Sequence, residues 1–415
     1  MLQDRLSDIR RQFAAFNYAN ENGDLPIYFD GPGGSQVPDC VTQAMMDYLR
    51  HGNSNMGSHH HAGVQTMSMN QQARTQAAIW LGADADEIVF GQNATSLMFM
   101  ISRVVAATWQ AGDNVVVSSL DHYSQVSAWQ LAAMERGVEV RMIPLNANHD
   151  DIDYQTAESM IDERTRLVAV GLASNLIGTI IDIKQLSKTV QSVGAWLSID
   201  AVHAAVHMPI DVKALGADLL FASAYKIGGP HLGMMFARRE ILQALTPYKV
   251  APATNKPPMS YEQGTQSFES QAGFIAMMRY WASLSGADEL TPDSKANSYD
   301  LVSAYEQQQS QYILDKFGQR PFLKLYGKPS AEGRTPTFAF NIIKDGNIQS
   351  GAALSRFLGK QNIALGYGNF YAQALAEALS PTGSVLRMGC LHYTTFDEID
   401  RLFAAIDMGV DQVYL

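Results

Sequence analysis

Between residues 88 and 226, apolar strand-like runs alternate with helix-like stretches, and this alternation restricts the fold more than any other feature. The runs are Ile88-Val89-Phe90, VVVSS at 115–119, LVAVGLAS at 167–174, LSID ending at Asp200 and LLFAS ending at Ser223. A long helix is expected to open at Asn93-Ala94-Thr95-Ser96, with others at about 124–136, 153–163 and 183–193. Strands separated by helices pair in parallel through crossovers, and a parallel sheet binds ligands at the carboxyl ends of its strands. His122, Asn175, Asp200 and Lys226 each follow one of the runs, so the pattern places them along one edge. LGMMFA at 232–237 reads as one more buried strand.

Two of these strand ends carry a specific chemistry. Lys226 comes just after Ser223 and just before a Gly228-Gly229-Pro230 turn, while Asp200 closes the preceding run. A pyridoxal 5'-phosphate (PLP) site needs this set: an amine for the Schiff base and a carboxylate that keeps the pyridine nitrogen protonated, so that the ring acts as an electron sink. The same two charges also suit solvated strand ends. His122 can stack on an aromatic ring or be a hydrogen-bonded, partly buried histidine. Asn175 and His203 can reach a ring hydroxyl, though an asparagine after a strand also serves as a turn residue. The helix start at Asn93–Ser96 offers amides and hydroxyls to a phosphate, or simply an N-cap. Arg387 stands in the apolar run VLRMGCL, where a guanidinium requires a partner, either a substrate carboxylate or a protein one.

The rest of the chain bounds the reading. A net charge of −11, from 30 basic and 41 acidic residues, argues against nucleic acid or an anionic membrane as the main partner. The apolar run around Leu97–Trp109 is broken by Arg103 and falls short of the ~20 residues of a membrane span. Only two cysteines, Cys40 and Cys390, fit a reducing compartment. Leu2, Leu6, Ile9 and Phe13 lie at helical spacing among charges of both signs, unlike a signal peptide, so a cytoplasmic location is expected. His59, His60 and His61 are expected in a polar loop, and neither they nor the His203/His207 pair suggests a metal site. The Gly31-Pro32-Gly33-Gly34 loop suits close approach of backbone to a ligand, or a surface turn. Gly264-Thr265 precedes a helix whose Phe274, Met277, Met278, Tyr280 and Trp281 read as core. From about 290, helices at 296–316, 349–360 and 396–409 mix with strands at 335–342 and 385–391 in an α+β pattern.

On these residues the chain resembles the class V aminotransferases of fold-type I, particularly the cysteine desulfurase-like branch, over nearly its whole length. The resemblance is carried by Asn93-Ala94-Thr95, Asp121-His122, Ser174-Asn175 through Gly178-Thr179, Asp200-Ala201-Val202-His203, Ser223-Ala224-Tyr225-Lys226, Gly264-Thr265, and Arg387 with His392-Tyr393. It implies an α/β fold with a mostly parallel seven-stranded sheet in a large domain at 31–285, a smaller α+β domain at 286–415, and residues 1–30 packing with the small domain. It also implies Lys226 as the Schiff-base lysine, Asp200 at the pyridinium nitrogen and His122 on the ring. Asn175 and His203 would lie near the ring hydroxyl, and Ala94, Thr95, Ser223 and Tyr225 at the phosphate. Thr265 would reach the other subunit's phosphate in a homodimer with sites at its interface, and Arg387, with Asn175, would bind a small amino-acid substrate.

Three positions depart from that branch, which usually has glutamine where His203 stands and histidine where Tyr225 stands. Its nucleophilic cysteine lies on a small-domain loop, and the corresponding stretch here, LGYGNFYAQA at 365–374, has none and offers Tyr367, Asn369, Phe370 and Tyr371, residues suited to closing a pocket rather than accepting sulfur. The expected activity is therefore C–S or related β-elimination from a small L-amino acid. The alternatives are an aminotransferase, a cysteine desulfurase and a non-catalytic PLP-binding protein.

Overall fold

The computed structural model describes residues 2–414. Seven strands form the large sheet: β1 (Ile88–Gly91), β2 (Asn114–Ser118), β3 (Glu139–Ile143), β4 (Thr165–Gly171), β5 (Trp196–Asp200), β6 (Leu219–Ser223) and β7 (Gly233–Ala237). Their order is β1-β7-β6-β5-β4-β2-β3. β7 runs antiparallel to β1 and β6, and all other pairs are parallel. Every residue of β2, β6 and β7 is buried, because helices cover both faces. That is why these strands read as unbroken apolar runs rather than as alternation.

Alternate side chains fill two separate cores, one on each face of the sheet. Val116, Val170, Ile199 and Leu220 point into one core, with Leu186 and Trp281 from the covering helices Ile183–Ser192 and Phe268–Leu284. Val115, Val117, Ala169 and Phe221 point into the other, with Met98 and Trp129 from Ala94–Ala106 and Tyr123–Arg136. Asn93 caps the first of those two helices, its Oδ1 accepting from Ser96 N at 2.8 Å.

A second, antiparallel sheet comprises β8 (Leu323–Tyr326), β9 (Thr337–Lys344), β10 (Asn347–Gln349), β11 (Gly366–Gly368) and β12 (Val385–Gly389). β9 pairs with β8, β10 and β12, and β12 also pairs with β11. Phe338, Phe340, Leu386, Met388 and Phe403 form its core. The amino-terminal segment divides between the two cores. Leu2, Leu6, Ile9, Phe13 and Phe16 join the core shared with Trp281, whereas Ile27 and Phe29 join the core of the second sheet.

Several elements were not expected from the sequence, among them one helix and one strand of the large sheet. His61 opens a helix, His61–Leu81, where a polar loop was expected. β3 lies at the sheet edge with Glu139 exposed and Arg141 half-buried. No helix among the described residues is long and apolar enough to cross a membrane.

Candidate active site

The carboxyl ends of β2, β4, β5 and β6 face the second sheet across a cavity of about 430 Å³. His122, Asn175, Asp200, Ser223 and Lys226 line it, as do Ala94, Thr95, His203, Tyr225 and, from β12, Arg387. Thr265 is the one expected site residue that lies elsewhere. It borders a separate cavity of about 530 Å³ together with Gln92, Asn93 and Ser96.

Lys226 is placed by a single turn, Ala224–Lys226, at the end of β6, and Gly228 then reverses the chain at φ +93°. The amine donates to Pro32 O, so the glycine loop does approach the site with its backbone. Burial, helped by the charge of Arg387, pushes the Lys226 amine down to about 7, against the opposing pull of Asp200 and Asp30. At the end of β5, Asp200 Oδ1 accepts from Val202 N at 2.9 Å. Burial raises its carboxyl to about 6, while that hydrogen bond and Lys226 hold it down. Asp121 accepts from Gly171 N at 2.9 Å, and Gly171 is the register partner of Asp200. Burial, with Asp200 adding to it, lifts Asp121 well above the usual carboxylate range.

His122 caps the helix Tyr123–Arg136 through Nδ1, which accepts from Ser124 N at 3.1 Å. The proton of the neutral ring therefore sits on Nε2. Burial, Lys226 and Arg387 push this imidazole down to about 4. His203 Nε2 lies 3.1 Å from Thr335 Oγ1 and 3.2 Å from Thr337 Oγ1, and burial drives its pKa well below the usual value. Behind it, His207 Nδ1 pairs with Glu306 at 2.8 Å. Ser223 Oγ accepts from Ala94 N at 3.1 Å, which joins the end of β6 to the helix amino terminus. The Tyr225 ring stacks on His231, centroids 5.2 Å apart.

Asn175 Nδ2 donates to Phe370 O at 2.9 Å, while its Oδ1 is buried without a partner among the described residues. Arg387 Nη1 donates to Asn175 O at 2.8 Å, and its guanidinium carbon sits 3.8 Å from the Phe370 ring centroid. Burial lowers this guanidinium to about 9, and Asp30 opposes the shift. Asp30, Phe370 and Tyr371 also line the cavity; the aromatic pair was expected from the sequence to close a pocket, whereas Asp30 was not singled out. The signal for Asp30 was an acidic residue directly before the Gly31–Gly34 loop. For the aromatic pair, nothing in the residue types foretold their positive φ of 50° and 61°.

The cavity suits an anionic aromatic aldehyde. An amine with its proton affinity lowered faces a strand-end carboxylate, a neutral imidazole and a helix amino terminus. Asp121 Oδ2 and Asn175 Oδ1, both buried and without a partner among the described residues, are left to hydrogen-bond a ligand.

Residues 27–402 match the family described as aminotransferase class-V. A cysteine desulfurase of Pectobacterium carotovorum is 30% identical over 393 residues, covering 93% of each chain. One from Klebsiella pneumoniae is 30% identical over 425 residues, covering 97% of each. Among solved structures, an apo cysteine desulfurase from Thermococcus onnurineus superposes with a TM-score of 0.87 at 22% identity, over 98% of each chain. A cysteine desulfurase from Escherichia coli gives 0.84 at 23%, again over 98% of each. At those identities the solved structures establish the shared fold.

Proposed function

Because the chain belongs to the class-V aminotransferase family, in its cysteine desulfurase-like branch, and is a PLP-dependent enzyme, we propose that it is a lyase removing a β-substituent from a small L-amino acid. The observation that carries this reading is the loop at the cavity mouth, which presents Phe370 and Tyr371 and no thiol. Neither cysteine lines the cavity. Cys390 is wholly buried in the core of the second sheet, where burial pushes its thiol well up. Cys40 is exposed, but it directs Sγ toward Ala276 O, and despite its place near a helix start, partial desolvation with Asp39 beside it raises its thiol. A sulfur-transferring enzyme needs a mobile thiolate of lowered pKa.

Asp200, His122, His203, Asn175, Ser223, Ala94, Thr95, Tyr225 and Lys226 would hold the cofactor. When bound, PLP supplies an electron sink for the pair of electrons left at the substrate α-carbon. The Asp200 carboxylate supplies the negative charge that keeps the ring nitrogen protonated. Lys226 Nζ, with its proton affinity near neutrality, accepts the α-proton and can return it. Arg387, held by Asn175 O, binds the substrate carboxylate. Phe370 and Tyr371 close the cavity against water. The bond from the β-carbon to the leaving group then breaks, with both electrons departing on that group. The dehydroamino acid released hydrolyses to a keto acid and ammonia.

The reading extends to a homodimer in the cytoplasm. Met46 and Leu49 on the helix Asp39–His51, and Val64 and Met67 on His61–Leu81, are large apolar side chains left exposed, which supports their being covered by a second copy. The place of Thr265 outside its own chain's site supports the same assembly. The double variant Cys40→Ser/Cys390→Ala tests the thiol-free mechanism. Retained turnover is expected in the folded double variant, and its loss would restore sulfur transfer.

A further inference from the structure

Phe370 sits in a slot that the second sheet leaves open. Gly366 lies directly across from Arg387 in the β11–β12 pairing. A Cβ at Gly366 would come within 2.7 Å of Phe370 Cε1, so only glycine lets the ring lie there, over the guanidinium at 3.8 Å. The loop that carries the ring is tied down at two consecutive carbonyls. Asn175 Nδ2 donates to Phe370 O at 2.9 Å, and Tyr123 N donates to Tyr371 O at 2.7 Å. Both residues take left-handed backbone at φ 50° and 61°, a conformation that non-glycine residues keep only when their surroundings enforce it. Asn175 closes the circuit, because its own carbonyl accepts from Arg387 Nη1 at 2.8 Å.

We infer that Phe370 is a positioning residue for substrate binding, whose ring, seated in the Gly366 slot, holds the Arg387 guanidinium ready for the substrate carboxylate. An arginine has five N–H donors and a mobile stem, and fixing it before the ligand arrives removes an ordering cost from binding. The ring covers one face of a guanidinium only 5% exposed, where a cation–π contact is strengthened by the loss of water. Since the same loop gives its carbonyl to Asn175, an open loop leaves both Asn175 and Arg387 unsupported. Closing the cavity and preparing the carboxylate anchor are therefore one event.

The inference rests on the reading that Arg387 binds the substrate carboxylate, and the test separates the two. The holoenzyme is titrated, by its visible absorbance, with L-alanine, which carries no β-leaving group, and with ethylamine, which lacks the carboxylate. Phe370→Leu should weaken L-alanine binding about tenfold, the scale of a desolvated cation–π contact, and leave ethylamine binding within about twofold. Phe370→Tyr should restore L-alanine binding, and Gly366→Ala, which fills the slot, should reproduce the leucine variant. Unchanged L-alanine binding in Phe370→Leu, or an equal loss for ethylamine, overturns the role of Phe370. In that event Arg387→Lys decides the underlying reading: weaker L-alanine binding upholds Arg387 as the carboxylate anchor, and unchanged binding removes it.

Discussion

Replacing Lys226 with Met should stabilise the cofactor-free protein, by an amount that depends on pH in a defined way. The amine is 8% exposed, and its proton affinity falls from an ordinary 10.5 to about 7. Each tenfold change in proton affinity is worth about 1.4 kcal/mol, so holding this lysine protonated in the fold costs about 5 kcal/mol. Below pH 7 the amine is charged in both folded and unfolded chains, and the full penalty applies. Between about 7 and 10.5 the unfolded chain binds a proton that the folded chain does not, so wild-type stability rises with pH through that window. Methionine removes the penalty but also the hydrogen bond to Pro32 O, which is worth about 1 kcal/mol. The variant should therefore gain about 4 kcal/mol at pH 6 and lose most of that advantage by pH 9.5. Paired denaturant titrations of cofactor-free wild type and variant at pH 6, 8 and 9.5 read the difference; groups that Lys226 does not touch cancel, and the window between pH 8 and 9.5 lies above the ionisation of Asp200 and His122, whose proton affinities Lys226 shifts. An advantage that is absent at pH 6, or that does not shrink as pH rises, would mean that Lys226 is not held in a desolvated, partly neutral state.

Other outcomes follow from the same site. Asp200→Ala should retain PLP yet lose turnover by several orders of magnitude, read by comparing cofactor absorbance with rate, since binding has other anchors and protonation of the ring nitrogen does not. Borohydride reduction of the holoenzyme should add the cofactor's mass to the peptide containing Lys226 and to no other. The rate profile should show no histidine ionisation near pH 6.5 from His122, because burial and two neighbouring cations hold it at about 4; a limb at 6.5 that disappears in His122→Phe would contradict this. Sedimentation should give twice the chain mass of 45.5 kDa, and Leu49→Glu with Met67→Glu should shift it toward the single chain.

The residues that sequence reasoning placed well share one physical property: their signal is local. The strands ending at Asp200 and Ser223 are buried on both faces, so their runs are mostly apolar, with only small Ser198 between the apolar residues of the first, and hard to mistake. The helix His61–Leu81 was hidden because its buried side carries Thr66, Asn70 and Arg74: Thr66 pairs with the Tyr48 hydroxyl, and the partners of Asn70 and Arg74, Gln271 and Glu262, lie some 190 to 200 residues away. β3 was hidden because an edge strand can carry Glu139 and Arg141 on its open side, pairing with each other at 3.0 Å. In the site, Asp200 and Lys226 were legible from their strand ends taken together with His122 and Asn175 along the same edge. Phe370 was not, because its role depends on a left-handed backbone and on a glycine across a sheet pairing, both of which exist only in the folded chain. Asn175 shows the same limit: the expected donor to a ring hydroxyl has its Nδ2 engaged by Phe370 O.

The central claim is elimination without a protein thiol, and product analysis tests it most directly. Holoenzyme incubated with L-cysteine, without any keto acid or sulfur acceptor, is assayed for pyruvate, ammonia and sulfide, while the intact protein mass is followed during turnover. The account predicts the three products in equal amounts and no added sulfur on Cys40 or Cys390. Alanine as product with a persulfide on either cysteine, or turnover that requires a keto acid, would contradict it.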